Sequence, residues 1–183
     1  LTPISGSDAS FRAADALSLT KLNAVKTGNY GLATTEIQLQ KDAAEAVDKF
    51  LTDFGTSTVG NTAIVSAGYT SYDALKKKKK QETYADLTSG SSVQLGLYPA
   101  DPDKQKLGTG KYLWLQDNCY HYGLILRYPK DKKEYTGQEE KADLYRYVGQ
   151  PHAEYMRNYN LTLEEYWDVI RTHSSAKPLR IEC

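Results

Sequence analysis

The chain has 183 residues, with 23 Lys and Arg against 23 Asp and Glu and 40% apolar residues. That is the length of one domain with enough apolar side chains to bury a core, and the balanced charge gives no bulk reason to bind nucleic acid or a lipid surface. Its two cysteines, Cys119 and Cys183, fit neither a metal motif nor a disulfide framework, and no signal peptide or membrane-spanning run is recognisable. Tyrosine is abundant, with 15 residues. Such rings serve as amphipathic bodies in core and surface; the sharper alternative is an aromatic groove for sugar or peptide.

In chain order, residues 1–35 read as an irregular N-terminal arm with a short helix at 9–17. Residues 36–40 alternate as a short strand. Asp42 is a plausible N-cap for a helix whose inward stripe is Ala43, Val47, Phe50, Leu51 and Phe54, ending at Gly55. A buried strand is expected at 63–66. Residues 72–87 are expected to form one helix with Tyr72, Leu75, Tyr84 and Leu87 inward. That helix would carry five lysines in a row, Lys76 to Lys80, one of which would have to snorkel over the core. No aromatic residue is interleaved with them, so a solvated face is expected rather than a patch for an anionic polymer.

A strand follows at 92–97. Tyr112, Leu115, Cys119 and Tyr122 recur at helical spacing over 111–122, and Gly123 is placed to end that helix. Residues 124–128 form a strand stopped by Pro129, residues 130–134 a solvated turn, and residues 144–148 the returning strand. Pro151 opens a helix at its first turn. Thr162 and Glu165 form a capping box for another, with Leu161 and Tyr166 as its staple and Leu163, Tyr166, Trp167 and Ile170 inward. Asn160-Leu161-Thr162 fits a glycosylation sequon, but the cap explains it.

Several of these stretches carry a family resemblance. Trp114-Leu115, Asn118, Tyr122-Gly123, Ile125-Leu126-Arg127-Tyr128-Pro129, Thr136-Gly137 and Tyr145-Arg146-Tyr147-Val148-Gly149 follow one another in order, as do Pro151-His152-Ala153-Glu154-Tyr155 and Leu161-Thr162-Leu163-Glu164-Glu165-Tyr166. This run resembles the LAS metallopeptidases, in particular D-alanyl-D-alanine carboxypeptidases of VanY type. Gly68-Tyr69 and Ser71-Tyr72 match the family's SGYRSY, with Thr70 where it has a substrate-gripping Arg; Ser91 and Gly96 match its SxHxxGxAxD. The resemblance implies an α+β domain of LAS/hedgehog type over residues 36–183, a small antiparallel sheet flanked by helices.

The resemblance also implies a zinc site, and its positions are occupied by other chemistry. The metal-binding His and Asp of SxHxxGxAxD fall on Val93 and Ala100, with Asp101 one residue late. The base and the second His of ExWH fall on Lys141 and Leu144, with Asp143 between them. A catalytic zinc needs about three protein ligands. Valine, alanine and leucine supply none, and a protonated lysine cannot take a proton from a metal-bound water. His121, His152 and His173 are too scattered to replace the ligands. No metal and no catalytic residue is therefore assigned.

The leading expectation is a non-catalytic relative of a cell-wall carboxypeptidase in a bacterial envelope. It would bind peptidoglycan peptide or an envelope protein in a cleft lined or bordered by Thr70, Gln94, Tyr98, Asp101, Lys141, Asp143 and Arg146. The alternatives are an active carboxypeptidase with atypical ligands and a structural module of a larger envelope protein. Leu1 is not Met, and residues 179–183 read as a strand cut short. An export signal or anchor outside the chain is accordingly expected.

Overall fold

The computed structural model describes residues 18–80, 82–101 and 103–174. The expected helix at 9–17 and the strand-like ending at 179–183 lie outside them, as does the side chain of His173. The elements run β1 Leu19–Lys21, α1 Leu22–Val25, β2 Gly31–Leu32, β3 Gln38–Gln40, α2 Lys41–Ser57, β4 Ala63–Ala67, α3 Tyr72–Lys77, β5 Ser92–Leu97, α4 Leu113–Asn118, β6 Leu124–Tyr128, α5 Lys133–Thr136, β7 Lys141–Tyr147, α6 Gln150–Asn158 and α7 Leu163–Ser174. Tight 3₁₀ turns fill Ala85–Ser89, Gly110–Tyr112 and Cys119–Tyr122.

The main sheet has five strands in the order β2-β4-β5-β7-β6. Its β4, β5, β7 and β6 are the four strands expected from sequence, and all pair antiparallel. The fifth is different. β2 pairs parallel to β4 at the edge, with Gly31 opposite Ile64 and Leu32 opposite Val65, and β1 pairs with β3 in a separate ribbon. Residues 18–35, expected as part of an arm, are thus built into the fold. Leu22 is fully buried and Tyr30 nearly so, because these apolar side chains have α2 to pack on.

The stripe read on α2 holds, with Ala43, Val47, Phe50, Leu51 and Phe54 all buried. Its ends differ from expectation. The cap position is Gln40, and Asp42 lies inside the first turn, where a carboxylate still favours the helix dipole. The helix also runs through Gly55 to Ser57. The expected helix at 72–87 breaks into α3 and the turn Ala85–Ser89, with Lys79 in a left-handed conformation at φ 54°. Leaving the helix lets Lys76 to Lys80 all stay exposed. A continuous helix would have turned at least one of them onto the core.

α2 packs on one face of the sheet. Val65, Val93, Leu95, Leu124 and Tyr145 meet Val47, Phe50, Leu51 and Phe54 there, and Phe50 contacts the rings of Trp114, Tyr122 and Tyr145 at centroid distances of 6.0, 5.5 and 5.7 Å. A second cluster joins Ile125 and Val148 to Ala153 and Met156 of α6 and Leu163 and Tyr166 of α7. The capping box forms as expected. Thr162 N–H donates to Glu165 Oε2 at 2.7 Å, and Glu165 N–H donates to Thr162 Oγ1 at 3.2 Å.

Phe50 holds α2, α4 and β7 to one another, so Phe50→Ala should lower unfolding stability by about 3–5 kcal/mol, the usual cost of emptying a buried aromatic site. Urea denaturation would measure it. A loss below about 1 kcal/mol would show that the neighbouring rings collapse into the space.

Candidate functional site

A buried ion network lies beneath the candidate site. Asp86, on the turn Ala85–Ser89, is wholly buried. It accepts from Arg127 Nε of β6 at 3.0 Å, from Arg146 Nη1 of β7 at 2.7 Å and from Ser92 Oγ of β5. Arg127 then forks onto Glu164 of α7, with Nη2 to Oε1 at 2.6 Å and Nη1 to Oε2 at 3.2 Å. One carboxylate thus joins three strands and, through Arg127, a helix. Burial alone would raise the Asp86 pKa, but Arg146, Arg127 and the Ser92 hydrogen bond outweigh it and hold the carboxyl below its usual range.

Above this network stands a small apolar cluster. Leu144, Leu87 and Tyr128 are buried, and Ala67 and Tyr84 pack against them. Gln94 lies opposite Leu144 on the adjacent strand and opposite Ala67 on the other side. Its Nε2 donates to Asp143 Oδ2 at 2.8 Å, and Tyr84 OH donates to the same oxygen at 3.2 Å. The Lys141 ammonium lies 5.8 Å from the Tyr84 ring centroid and 5.5 Å from that of Tyr128. Burial lowers the Lys141 pKa, opposed by Asp143 and Glu139. Burial and the Asp143 charge raise that of Tyr84.

Three of the residues expected to line the cleft, Gln94, Lys141 and Asp143, are therefore brought together, all half-buried. Thr70 borders them. Its N–H donates to Leu87 O at 3.3 Å, and its hydroxyl is turned back onto Gly68 O at 3.1 Å. Arg146 is a correction, because its guanidinium is buried on Asp86. Tyr98 and Asp101 are corrections too, since both lie beyond the far end of β5. Tyr98 is 75% exposed there. Asp101 is locked in place by Lys111 Nζ at 2.6 Å and Tyr112 OH at 2.7 Å. The Lys111 contact lowers its pKa to about 2, aided by Tyr112 against burial.

The positions assigned to the zinc ligands do not converge. Val93 faces Tyr145 within the main core, whereas Leu144 faces Gln94 in the other cluster. Neighbours along a strand point to opposite faces, so Gln94 rather than Val93 shares a face with Leu144. Moving the SxHxxGxAxD register one residue later puts Ser92, Gln94 and Asp101 on its Ser, His and Asp spacings. Yet three strand steps of ~3.3 Å separate Gln94 from Leu97 alone, and Asp101 lies beyond that, spent on Lys111 and Tyr112. Ala100 is exposed. Among the described residues no three His, Cys, Asp or Glu side chains are grouped to hold a metal ion. His152 Nδ1 is 2.6 Å from Tyr166 OH, and His121 is exposed. The side chains present do not fit a catalytic zinc.

Sequence reasoning missed Tyr84 and Tyr128 as partners of Lys141, and Asp86 with Arg127 as the support below. Arg127 was readable as a signal, since a lone cation in an otherwise apolar strand needs a buried partner. A separate hollow of about 270 Å³, lined by Cys119, Leu126 and Met156 among others, shares no residue with the Gln94–Asp143 group. No helix of the described residues is long and apolar enough to cross a membrane.

The sheet order, the flanking helices and the position of this patch define an α+β domain of LAS type. The chain is 31% identical over 165 residues to a D-alanyl-D-alanine carboxypeptidase of Enterococcus faecium, covering 86% of this chain and 52% of that protein. It is 40% identical over 102 residues to one of Enterococcus faecalis, covering 54% and 37%. Among solved structures it resembles the D,D-dipeptidase VanXYg in complex with a D-Ala-D-Ala phosphinate analogue, with a TM-score of 0.61, 25% identity and coverage of 75% and 61%. It also shares the fold of the LdcB LD-carboxypeptidase, with a TM-score of 0.62, 24% identity and coverage of 82% and 77%. No family model matches. The chain is a relative of the VanY-type D-alanyl-D-alanine carboxypeptidases, and it spans about half the length of the first of these relatives.

Replacing Asp86 by Asn would leave two buried guanidinium groups facing a neutral amide, and should cost about 3–5 kcal/mol. The pH dependence has a definite sign. The Asp86 pKa is lowered on folding, so its contribution is present above the unfolded value of about 3.9 and is lost as pH falls through the folded value. Stability measured by urea titration should therefore decline below about pH 4 in the parent and less steeply in the variant. Equal slopes would remove Asp86 from the account.

Proposed function

We propose that the chain is a non-catalytic relative of the cell-wall carboxypeptidases that binds peptidoglycan peptide at the Gln94–Lys141–Asp143 patch, in the envelope of a bacterium. One observation carries this reading. Leu144 is sealed in an apolar cluster with Leu87 and Tyr128 while the polar groups around it remain half-exposed. The Lys141 ammonium offers a counter-charge to a peptide carboxylate. The Gln94 amide and the Asp143 carboxylate offer a donor–acceptor pair to a peptide bond. Of these three groups only the Asp143 carboxylate is an ordinary zinc ligand, short of the about three that a catalytic zinc needs, which supports recognition without turnover. Zinc is not assigned to it.

The second reading is a working carboxypeptidase, and sequence relatedness to enzymes of that name favours it. Incubation with zinc and a peptide ending in D-Ala-D-Ala separates the two. The proposal expects saturable binding by calorimetry, no release of D-alanine, and at least about tenfold weaker binding by Lys141→Ala, as for loss of one charge-assisted contact. Release of D-alanine above the protein-free control would establish the second reading. Absence of any peptide binding would leave neither standing and point to a structural module.

A further inference from the structure

Past the Leu97 end of β5, a half-open groove of about 580 Å³ runs between the C-terminal half of α2, the β2 edge and Tyr98-Pro99. Its size falls in the ~300–1,000 Å³ range usual for small-molecule sites. Among the described residues its lining contains no charged side chain, in a chain that is 25% charged. The polar side chains are neutral, Asn29, Asn61, Thr52, Thr56, Thr58 and Thr62 among them. We propose that this groove binds an uncharged oligosaccharide, with Tyr98 as the platform on which a sugar ring lies.

Nearby charges are already spent inside the protein. Asp48 accepts from Thr27 N–H at 2.9 Å, Thr27 Oγ1 at 2.6 Å and Tyr30 OH at 3.1 Å. Asp101 is taken by Lys111 and Tyr112, and Lys111 also donates to Gly60 O at 2.8 Å. A charged ligand would give up hydration here without meeting a counter-charge. A neutral polyol exchanges water hydrogen bonds for those of amides and hydroxyls at little electrostatic cost.

Geometry supplies the rest. Tyr98 is 75% exposed, yet its backbone is fixed, with its N–H donating to Thr62 O at 2.9 Å. The ring is thus presented on a held backbone, and it offers the flat apolar surface that the C–H face of a pyranose matches. Asn61 is oriented at the groove wall, donating to Thr58 O at 3.0 Å and accepting from Ala63 N–H at 3.3 Å. An added peptide strand is the competing occupant. β4 is already paired on this side, by Gly31 and Leu32 of β2 and by Ala33 N–H to Val65 O at 2.9 Å, so an added peptide would find only the two-residue outer edge of β2 to pair with.

The probe is chitotetraose, an N-acetylated and uncharged sugar, titrated into the whole chain and followed by calorimetry and by amide chemical shifts. Saturable binding is expected, with shift changes confined to 29–31, 52–64 and 98. It should change less than about twofold between low and high salt, as befits an uncharged ligand. Tyr98→Ala should weaken it at least about tenfold, a typical loss for an aromatic anchor, and Tyr98→Phe should retain it. The ring is exposed, so both variants will fold; thermal melts confirm that. No saturable binding by the folded parent, binding indifferent to Tyr98→Ala, or shift changes elsewhere would each overturn the proposal, as would an uncharged extended peptide displacing the sugar from this groove.

Discussion

A single carboxylate without contact to water organises this domain. Asp86 gathers Arg127, Arg146 and Ser92, which come from three adjacent strands, and Arg127 extends the chain of charges to Glu164 on the last described helix. Buried ions are costly to desolvate, and such a cluster holds only when every partner is present in good geometry. That requirement fixes how the turn Ala85–Ser89 sits against the sheet. The turn in turn carries Leu87 onto Leu144, and Tyr84, one residue before it, onto Asp143. The patch is as well defined as the ions below it.

On that support sits a half-buried polar surface of Gln94, Lys141 and Asp143. Where relatives by sequence carry the name of carboxypeptidases, this chain places leucine, glutamine, lysine and two tyrosines. The contacts among them are internally consistent. Gln94 and Tyr84 share one Asp143 oxygen, and Lys141 sits between two aromatic rings. Among the described residues no three His, Cys, Asp or Glu side chains are grouped to hold a metal ion.

What could be read in advance follows from range. α2, β6 and the capping box of α7 were legible because their signals are local: a 3.6-residue stripe, a short apolar run ended by Pro129, and a Thr–Glu pair three apart. The fold class was legible through motifs in fixed order. The parallel edge strand β2 was not, since two residues carry no period. Nor was the break between Lys77 and Ala85, where apolar spacing favoured one helix and the hydration of five lysines decided against it. The Asp86 network spans sequence separations of 41 and 60 residues, and no local pattern encodes it. Of the residues named for the cleft, the structure brings Gln94, Lys141 and Asp143 together with Thr70 at their border. At Val93 the pairing of β5 with β7, not motif spacing, sets which side chains share a face: Gln94, not Val93, lies opposite Leu144. Tyr98 and Asp101 were displaced for the same reason, lying at the far end of a strand whose near end holds Gln94.

The central claim is that the framework persists without a metal centre, and zinc stoichiometry tests it most directly. Protein stripped with a chelator, dialysed against micromolar zinc and then passed over a desalting column would be assayed by elemental analysis. The account predicts zinc far below one ion per chain and no change in melting temperature on adding it. One tightly retained ion per chain, lost on replacing Asp143 or Gln94, would contradict it.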